Sequence, residues 1–147
     1  MLDQATIDKA FAQLGIPVHW GDMDAALHVN NTVYHKWVES VRIALFERLL
    51  GESPKFHTIG PILAWQDCKF IFPVTFPDTV IATYDVTELG QQHLLCKARL
   101  YSKQHQRIVA IAHSKLVPYN YKKLHKVDVP ESWTTPILDF YGAEIRP

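Results

Sequence analysis

One stretch of the chain carries apolar residues at the spacing of an α-helix, and it predicts a single helix of roughly twenty residues. Either Asn30 or Asn31 is suited to cap its N-terminus, because an asparagine side chain accepts a hydrogen bond from the first free backbone N–H groups. Gly51 is placed to end the helix, with Pro54 beyond it. The apolar stripe consists of Val33, Trp37, Val41, Ala44 and Leu45.

Beyond the helix, apolar and polar residues alternate with the period of two that is typical of half-buried strands. The alternation predicts strands over residues 62–72, 79–87, 93–103 and 107–117, with short turns between the later ones. Strands that follow one another through short turns indicate an antiparallel meander. The third strand has Leu94, Cys96, Ala98 and Leu100 on one face, and Lys97, Arg99 and Lys103 on the other.

Both ends of the chain carry weaker patterns. Residues 6–14 predict a short amphipathic helix with Ile7, Phe11 and Leu14 on one face, and Gly15 ends it. A short strand over residues 16–20 and a polar loop over residues 21–30 then lead into the long helix. The tail from about residue 120 is expected to pack over an edge of the sheet, with a short helical turn near residues 137–141.

The order of elements is a strand, one long helix and then four strands, and it predicts an α+β fold. A long, largely apolar helix needs a sheet to bury it, so we expect a central helix wrapped by an antiparallel sheet of about five strands. The 147 residues, 48% of them hydrophobic, suffice for one domain over residues 1–147 with a core that needs no disulfide or metal.

Composition excludes several classes of function. Lys plus Arg equals Asp plus Glu at 15 each, which argues against a nucleic-acid partner. No stretch approaches the ~20 apolar residues of a membrane span. The eight histidines show no metal-ligand spacing, and no glycine-rich phosphate loop or GxSxG motif occurs, so we expect neither metal nor cofactor. Cys68 and Cys96 form no CxxC pair and are predicted to be buried free thiols in a reducing cytoplasm.

The loop that precedes the long helix holds the most promising chemistry. Asp22, Asp24 and His28 lie in a segment that feeds a helix N-terminus, where free N–H groups and the helix dipole stabilise negative charge. Such an end polarises a carbonyl, and a nearby carboxylate serves as a nucleophile or as a base toward water. These residue types also fit a purely structural role, in which the aspartates cap turns and His28 fills a polar pocket.

Two segments resemble a known family. The run WGDMDAALHVNNTVYHKWVESVR resembles the signature of the 4-hydroxybenzoyl-CoA thioesterase type of hot-dog enzyme, with its Gly-Asp-x-Asp loop and His-Val-Asn-Asn segment. The run GPILAWQDCKFIFPVTFPDTV resembles that family's second strand and the turn after it. The resemblance covers roughly residues 16–120 and implies the hot-dog fold and hydrolysis of a thioester of coenzyme A or an acyl carrier.

The resemblance assigns roles to individual residues of this chain. It implies that Asp24 is the catalytic nucleophile or general base, and that the backbone N–H of Asn31 polarises the thioester carbonyl. His28 matches the family histidine that orients the carboxylate or the water. Asp22 is expected to be structural. Glu39 is a reserve candidate for catalysis, although an ion pair with Arg42 on the same helix is the simpler expectation.

The chain also departs from the family's pattern. Ala26 stands where acyl-carrier thioesterases with this motif have an asparagine, which weakens the acyl-carrier alternative. Leu27 stands near the place of a glycine that is common after the catalytic aspartate. A module that binds an acyl chain or a partner without turnover remains an alternative, as does a hydratase on the same fold.

The resemblance further implies at least a homodimer, or a homotetramer built from two dimers, with an acyl-CoA bound at the subunit interface. Lys97, Arg99 and Lys103 are open to two interpretations, contact with the phosphates of coenzyme A or a solvated strand face. Four aromatic side chains could line the acyl pocket or belong to the core: Trp37, Trp65, Phe70 and Phe72.

Overall fold

The computed structural model describes residues 3–51 and 58–147, so Pro54, predicted to lie beyond the long helix, is outside the described residues. It contains helices α1 (Gln4–Asp8), α2 (Asn31–Leu50) and α3 (Glu131–Tyr141). The strands are β1 (Ala12–Pro17), β2 (Ile59–Phe70), β3 (Thr79–Leu89), β4 (Leu94–Ser102), β5 (Arg107–Asn120) and β6 (His125–Lys126). Two 3-10 turns cover Trp20–Asp22 and Ala143–Ile145.

The strands form one antiparallel sheet in the order β1-β3-β4-β5-β2, and β6 pairs with β5. The predicted meander is therefore confirmed only for β3, β4 and β5. It is wrong for β2, which pairs with β5 and not with its successor β3. The reason is that β1 occupies the outer edge of β3, from Ala12 opposite Tyr84 to Pro17 opposite Thr79. Alternation along a strand marks its buried face but leaves its neighbour unspecified.

The sheet curls around α2, and the core lies between them, as expected for a central helix with a sheet wrapped around it. Asn30 is the N-cap of α2, since its side chain accepts a hydrogen bond from the N–H of Thr32 at 2.9 Å. Gly51 ends the helix at φ 72°, a left-handed conformation that glycine adopts without strain. Both predicted ends are thus confirmed. In the described ranges, no helix has the length and apolar character needed to span a membrane.

The predicted N-terminal helix over residues 6–14 is wrong beyond its first turn. Helix α1 ends at Asp8, and Gly15, predicted to stop the helix, lies inside β1 opposite Ile81. The strand predicted over residues 16–20 likewise begins four residues too late. Residues 12–17 form a strand because they pair with β3 and because Phe11 is buried beneath the guanidinium of Arg48. Both partners are remote in sequence.

The C-terminal tail forms an eleven-residue helix, where the sequence predicts only a short turn near its end. Trp133 and Ile137, four residues apart, bury one face of α3. The Trp133 ring meets the ring of Phe46 on α2 edge-on, with centroids 5.0 Å apart. At the far end, the hydroxyl of Tyr141 donates to the carboxylate of Asp85 on β3 at 2.6 Å. The tail therefore supplies a second helix packed against α2 and β3.

Candidate active site

The loop before α2 is held in place by hydrogen bonds that centre on Asp22. One carboxylate oxygen of Asp22 accepts from the N–H of His19 at 2.8 Å, and its carbonyl accepts from the N–H of Asn30 at 2.9 Å. The N–H of Val29 donates to the carbonyl of Val74 at 2.8 Å. These bonds join both ends of the loop and tie it to the segment before β3. They match the structural role expected for Asp22.

Asp24 lies exposed at the tip of this loop. Its Oδ1 accepts from the N–H of Ala26 at 2.9 Å, and its own N–H donates to the carbonyl of His28 at 3.0 Å. The N–H of Leu27 donates to the Asp24 carbonyl at 2.9 Å. The other carboxylate oxygen, Oδ2, has no hydrogen bond with any described residue. One oxygen of Asp24 therefore holds the turn, while the second is free to act on a bound molecule.

The first turn of α2 leaves one backbone donor available. The Asn30 side chain accepts from the N–H of Thr32, and the N–H of Val33 donates to the Asn30 carbonyl at 3.0 Å. The N–H of Asn31 has no acceptor among the described residues. Because the first N–H groups of a helix lack intrahelical partners, this donor remains at the positive end of the α2 dipole.

An apolar pocket of about 330 Å³ opens beside this donor. Tyr34 and Phe70 form part of its wall, with ring centroids 5.0 Å apart. The hydroxyl of Tyr34 accepts from the N–H of Val74 at 3.3 Å, and burial raises the pKa of Tyr34 so that it stays neutral. We call this cavity the apolar pocket, and its lining residues are His28, Val29, Asn31, Tyr34, Phe70, Ile71, Phe72 and Pro73.

The apolar pocket brings together two of the three site residues that the sequence predicts. His28 and Asn31 line it, whereas Asp24 does not and is joined to His28 through the backbone. Tyr34 was not predicted, although its place three residues after Asn31 puts it on the same face of α2. Of the four candidate aromatic residues, Phe70 and Phe72 line the pocket. Trp37 belongs to the core, and Trp65 is exposed on β2.

A second cavity of about 370 Å³ lies between α2 and β2. Arg42 is only 8% exposed there; its Nη2 donates to Oε1 of Gln66, and its Nε donates to the hydroxyl of Tyr84 at 3.4 Å. The expected ion pair between Glu39 and Arg42 is wrong, because Arg42 turns inward to these neutral oxygens. We call this cavity the polar pocket, and its lining residues are His35, Lys36, Glu39, Arg42, Leu63 and Gln66.

Both cysteines are free thiols whose burial suppresses their reactivity. Burial raises the pKa of Cys96, which is buried as predicted, to about 12. Cys68 is half-buried, less than predicted, and burial with the adjacent Asp67 charge raises its pKa to about 11. Both therefore stay protonated at neutral pH and are poor nucleophiles. Within residues 3–51 and 58–147, no three His, Cys, Asp or Glu side chains are grouped to hold a metal ion.

Comparison with known proteins places this architecture among thioesterases of the hot-dog type. Residues 18–137 match the model of the thioesterase-like superfamily. A protein from Pseudomonas aeruginosa with a provisional thioesterase designation shares 32% identity at a TM-score of 0.80, over 87% of this chain and 98% of that one. A gentisyl-coenzyme A thioesterase shares 25% identity at a TM-score of 0.76, over 84% of this chain and 99% of that one.

A more distant structure shares the fold. A Thermus thermophilus thioesterase, solved in complex with coenzyme A and Zn, has a TM-score of 0.79 over 92% of this chain and 97% of that one. At 20% identity, it shows likeness of fold alone. No curated protein sequence gives a significant match to the chain.

Proposed function

Because the chain belongs to the thioesterase-like superfamily, we propose that it hydrolyses an acyl-CoA to the free acid and coenzyme A, with the thioester held at the start of α2. Its family makes it a thioester hydrolase. The observation that carries the proposal is the N–H of Asn31, which lies beside the apolar pocket and has no acceptor among the described residues. A 25% identical relative acts on gentisyl-coenzyme A, which supports coenzyme A as the leaving group.

The N–H of Asn31 is proposed to bind the thioester carbonyl oxygen. Negative charge grows on that oxygen as the carbonyl carbon becomes tetrahedral, so a fixed donor stabilises the transition state more than the ground state. One such donor contributes about 3 kcal/mol in enzymes that act by acyl transfer. The dipole of the twenty-residue helix α2 adds to the same effect.

Asp24 is proposed to act either as the general base or as the nucleophile of the hydrolysis. As general base, its free Oδ2 takes a proton from a water whose oxygen attacks the carbonyl carbon. The C–S bond then breaks, and the thiolate of coenzyme A takes up a proton. As nucleophile, Oδ2 would itself attack the carbonyl carbon, and the C–S bond would break to release the thiolate. Water would then cleave the mixed anhydride to the free acid and restore the Asp24 carboxylate. His28, whose carbonyl accepts from the Asp24 N–H, is proposed to orient the carboxylate or the water from the pocket wall.

A homodimer is proposed to complete the site. Among the strands that the structure describes, β2 is the outermost on its side of the sheet, and such an edge is a template for pairing with another chain. The polar pocket lies between α2 and β2, and the apolar pocket lies between the start of α2 and the end of β2, with the residues that flank them. A second subunit on this edge would therefore close both pockets. The edge is also rich in exposed apolar side chains, namely Ile59, Ile62, Leu63, Trp65 and Phe70.

The first test is thiol release from a panel of short, long and aromatic acyl-CoAs, followed with a chromogenic thiol reagent. We expect turnover in the wild type and a loss of at least about 100-fold in kcat for Asp24→Asn, the usual contribution of a positioned base. Asp139→Asn, an exposed carboxylate on α3, is the matched control and should retain full activity. Unchanged turnover in Asp24→Asn would exclude Asp24 as the reacting carboxylate.

The second test removes the backbone donor without removing the helix. Asn31→Pro deletes the N–H at the first helical position, where proline is well tolerated. Asn30 already has φ −62° and ψ 141°, a conformation that a following proline requires. We expect kcat to fall about 100-fold in Asn31→Pro, whereas Asn31→Ala keeps the N–H and most of the activity. Equal activity of the two variants would refute the role of this donor.

A second function has one observation in its favour. Asp24 lies outside the lining of the apolar pocket, and its Oδ1 is held by Ala26. A non-catalytic module that binds an acyl group would tolerate this arrangement. Thiol release at the background rate with every acyl-CoA, together with measurable acyl-CoA binding, would establish the module in place of the enzyme.

A further inference from the structure

The polar pocket contains a buried cation without a carboxylate partner in the described part of the chain. Arg42 comes from the buried stripe of α2 and is 92% removed from solvent, yet its acceptors are the neutral oxygens of Gln66 and Tyr84. The close contacts between basic and acidic side chains that the described residues make lie elsewhere, between His93 and Glu88 and between His113 and Asp67. A buried charge is costly unless it is paired, so an anion that enters the cavity would be stabilised by this guanidinium.

The neighbours of Arg42 also present donors. Gln66 accepts through Oε1 from Arg42 and from the hydroxyl of Ser114 at 3.1 Å, which fixes the orientation of its amide. Its Nε2 therefore donates to Nδ1 of His35 at 2.7 Å and leaves the imidazole proton on Nε2. His35 thus has a donor to offer, and the ammonium of Lys36 lines the same cavity. Against these stands one carboxylate, that of Glu39, so the lining carries a net positive charge.

The polar pocket adjoins the apolar pocket along α2. The ring of Phe70, which lines the apolar pocket, meets the Tyr34 ring at 5.0 Å and the His35 ring at 6.4 Å. His35 and Glu39 follow Asn31 by one and two helical turns, or about 6 and about 12 Å along the helix axis. A flexible acyl chain held at Asn31 reaches this distance.

We infer that the polar pocket binds a carboxylate at the far end of the acyl group, so that the preferred substrates are medium-length dicarboxylic acyl-CoAs. The inference rests on the proposed function, because it places the thioester at Asn31. Arg42 provides its charge and the N–H groups of Nη1, which have no acceptor among the described residues, and Lys36 adds a flexible second charge. The apolar pocket and Phe70 then contact the methylene groups between the two ends.

Binding of free acids tests the polar pocket without any need for turnover. Calorimetric titration with adipate and hexanoate compares two six-carbon acids that differ by one terminal carboxylate. We expect the wild type to bind adipate about tenfold more tightly, which corresponds to about 1.4 kcal/mol. Arg42→Met keeps the volume and removes a buried charge that has no carboxylate partner among the described residues, so it should fold and lose this preference. Lys36→Met, at an exposed position, should reduce the preference for adipate about threefold. If Arg42→Met does not fold, this variant alone tests the carboxylate site.

Turnover of adipoyl-CoA and hexanoyl-CoA separates this inference from the proposed function. We expect a tenfold preference in kcat/KM for adipoyl-CoA that Arg42→Met abolishes. Hydrolysis without that preference, or a preference that both variants retain, would overturn the carboxylate site and leave the thioesterase intact. A preference for adipate in binding with no hydrolysis of any acyl-CoA would uphold the site and overturn the enzyme. If inorganic phosphate displaces adipate at equal concentration, the pocket binds another anion, and the inference that it binds an acyl carboxylate is overturned.

Discussion

Leu27 shows how strain enters the candidate site at the level of a single residue. It adopts φ 59° in the turn between Asp24 and His28, the left-handed region that disfavours every side chain with a Cβ. The sequence places it near a glycine of the family it resembles, and the geometry gives a physical reason for a glycine there. Its side chain is 65% exposed, so little burial offsets the strain.

Leu27→Gly is therefore expected to stabilise the folded protein by about 0.5–1 kcal/mol, since relief of left-handed strain exceeds the added entropy of an unfolded glycine. The measurement is the free energy of unfolding in urea. Ile43→Gly, at an exposed helical position, is the control and should destabilise by about 1 kcal/mol. Destabilisation by Leu27→Gly would show that the Leu27 side chain makes a favourable contact.

Buried acidic groups predict a loss of stability at alkaline pH. Burial raises the pKa of Cys96 from 9.0 to about 12, and it also raises the pKa values of Tyr84 and Tyr141 above 10.0. Above pH 9 the unfolded chain loses protons that the folded chain keeps, so stability is full below pH 9 and falls toward pH 12. Each group contributes a slope of up to about 1.4 kcal/mol per pH unit.

The free energy of unfolding at pH 8 and at pH 10.5 measures this slope. In Cys96→Ala one of the three groups is gone, so its stability should fall less between the two pH values than that of the wild type. Parallel pH profiles for the two proteins would show that the thiol of Cys96 does not contribute.

At the residue scale, the structure brings two of the three predicted site residues together because their motif is local. His28 and Asn31 fall within a few residues of each other and line the apolar pocket. Arg42 was placed in the wrong surroundings, because an i to i+3 partner on the helix, Glu39, competes with Gln66, which lies 24 residues away. The periodicity of the sequence does not tell which of the two residues Arg42 contacts.

At the scale of elements, agreement between sequence and structure depends on where the deciding partners lie. Both ends of α2 were predicted, since Asn30 acts through a hydrogen bond from Thr32 and Gly51 through its own backbone conformation, and both effects are local. The boundary between α1 and β1 was not predicted, because β1 is defined by pairing with β3 more than 60 residues later. The length of α3 was also missed, since contact with α2 stabilises it.

Helix α3 is expected to depend on one anchor. Trp133→Ala removes a ring that packs against Phe46 and should lower the free energy of unfolding by about 3–5 kcal/mol. Thr135→Ala, two residues further and exposed, should change it by no more than about 0.5 kcal/mol. Chemical denaturation of both variants provides the comparison. Equal effects would contradict the proposal that packing against α2 holds the helix.

At the scale of the whole molecule, the strand order was the least predictable feature. Strands β2 to β5 were anticipated near their true places, whereas β6 was not anticipated at all. The predicted meander also made β3 the neighbour of β2, where the structure has β5. The consequence is that β2, with Trp65 48% exposed, forms an outer edge of the sheet. An edge with this composition is the molecule's most exposed apolar feature among the described strands, and it supports the proposed homodimer.

Light scattering coupled to size-exclusion chromatography tests this assembly. We expect a mass of at least twice the 16.9 kDa of one chain. Trp65→Lys should shift the wild-type oligomer toward the monomer, because it places a charge on the β2 edge. Leu124→Lys changes another large exposed apolar residue, 70% exposed between β5 and β6, and should leave the mass unchanged. A monomeric wild type would contradict the dimer.

The Asn31 N–H at the start of α2, which no described residue accepts from, has a consequence for how such a site is inherited. Because the proposed contact uses the backbone of Asn31, any residue other than proline at this position supplies the same N–H. Descendant sequences are then free to vary the side chain, and the catalytic contact persists through a position in the fold and not through a residue type. A comparison of residue identities across such descendants would show no conservation at position 31, even though the proposed reaction would depend on its backbone.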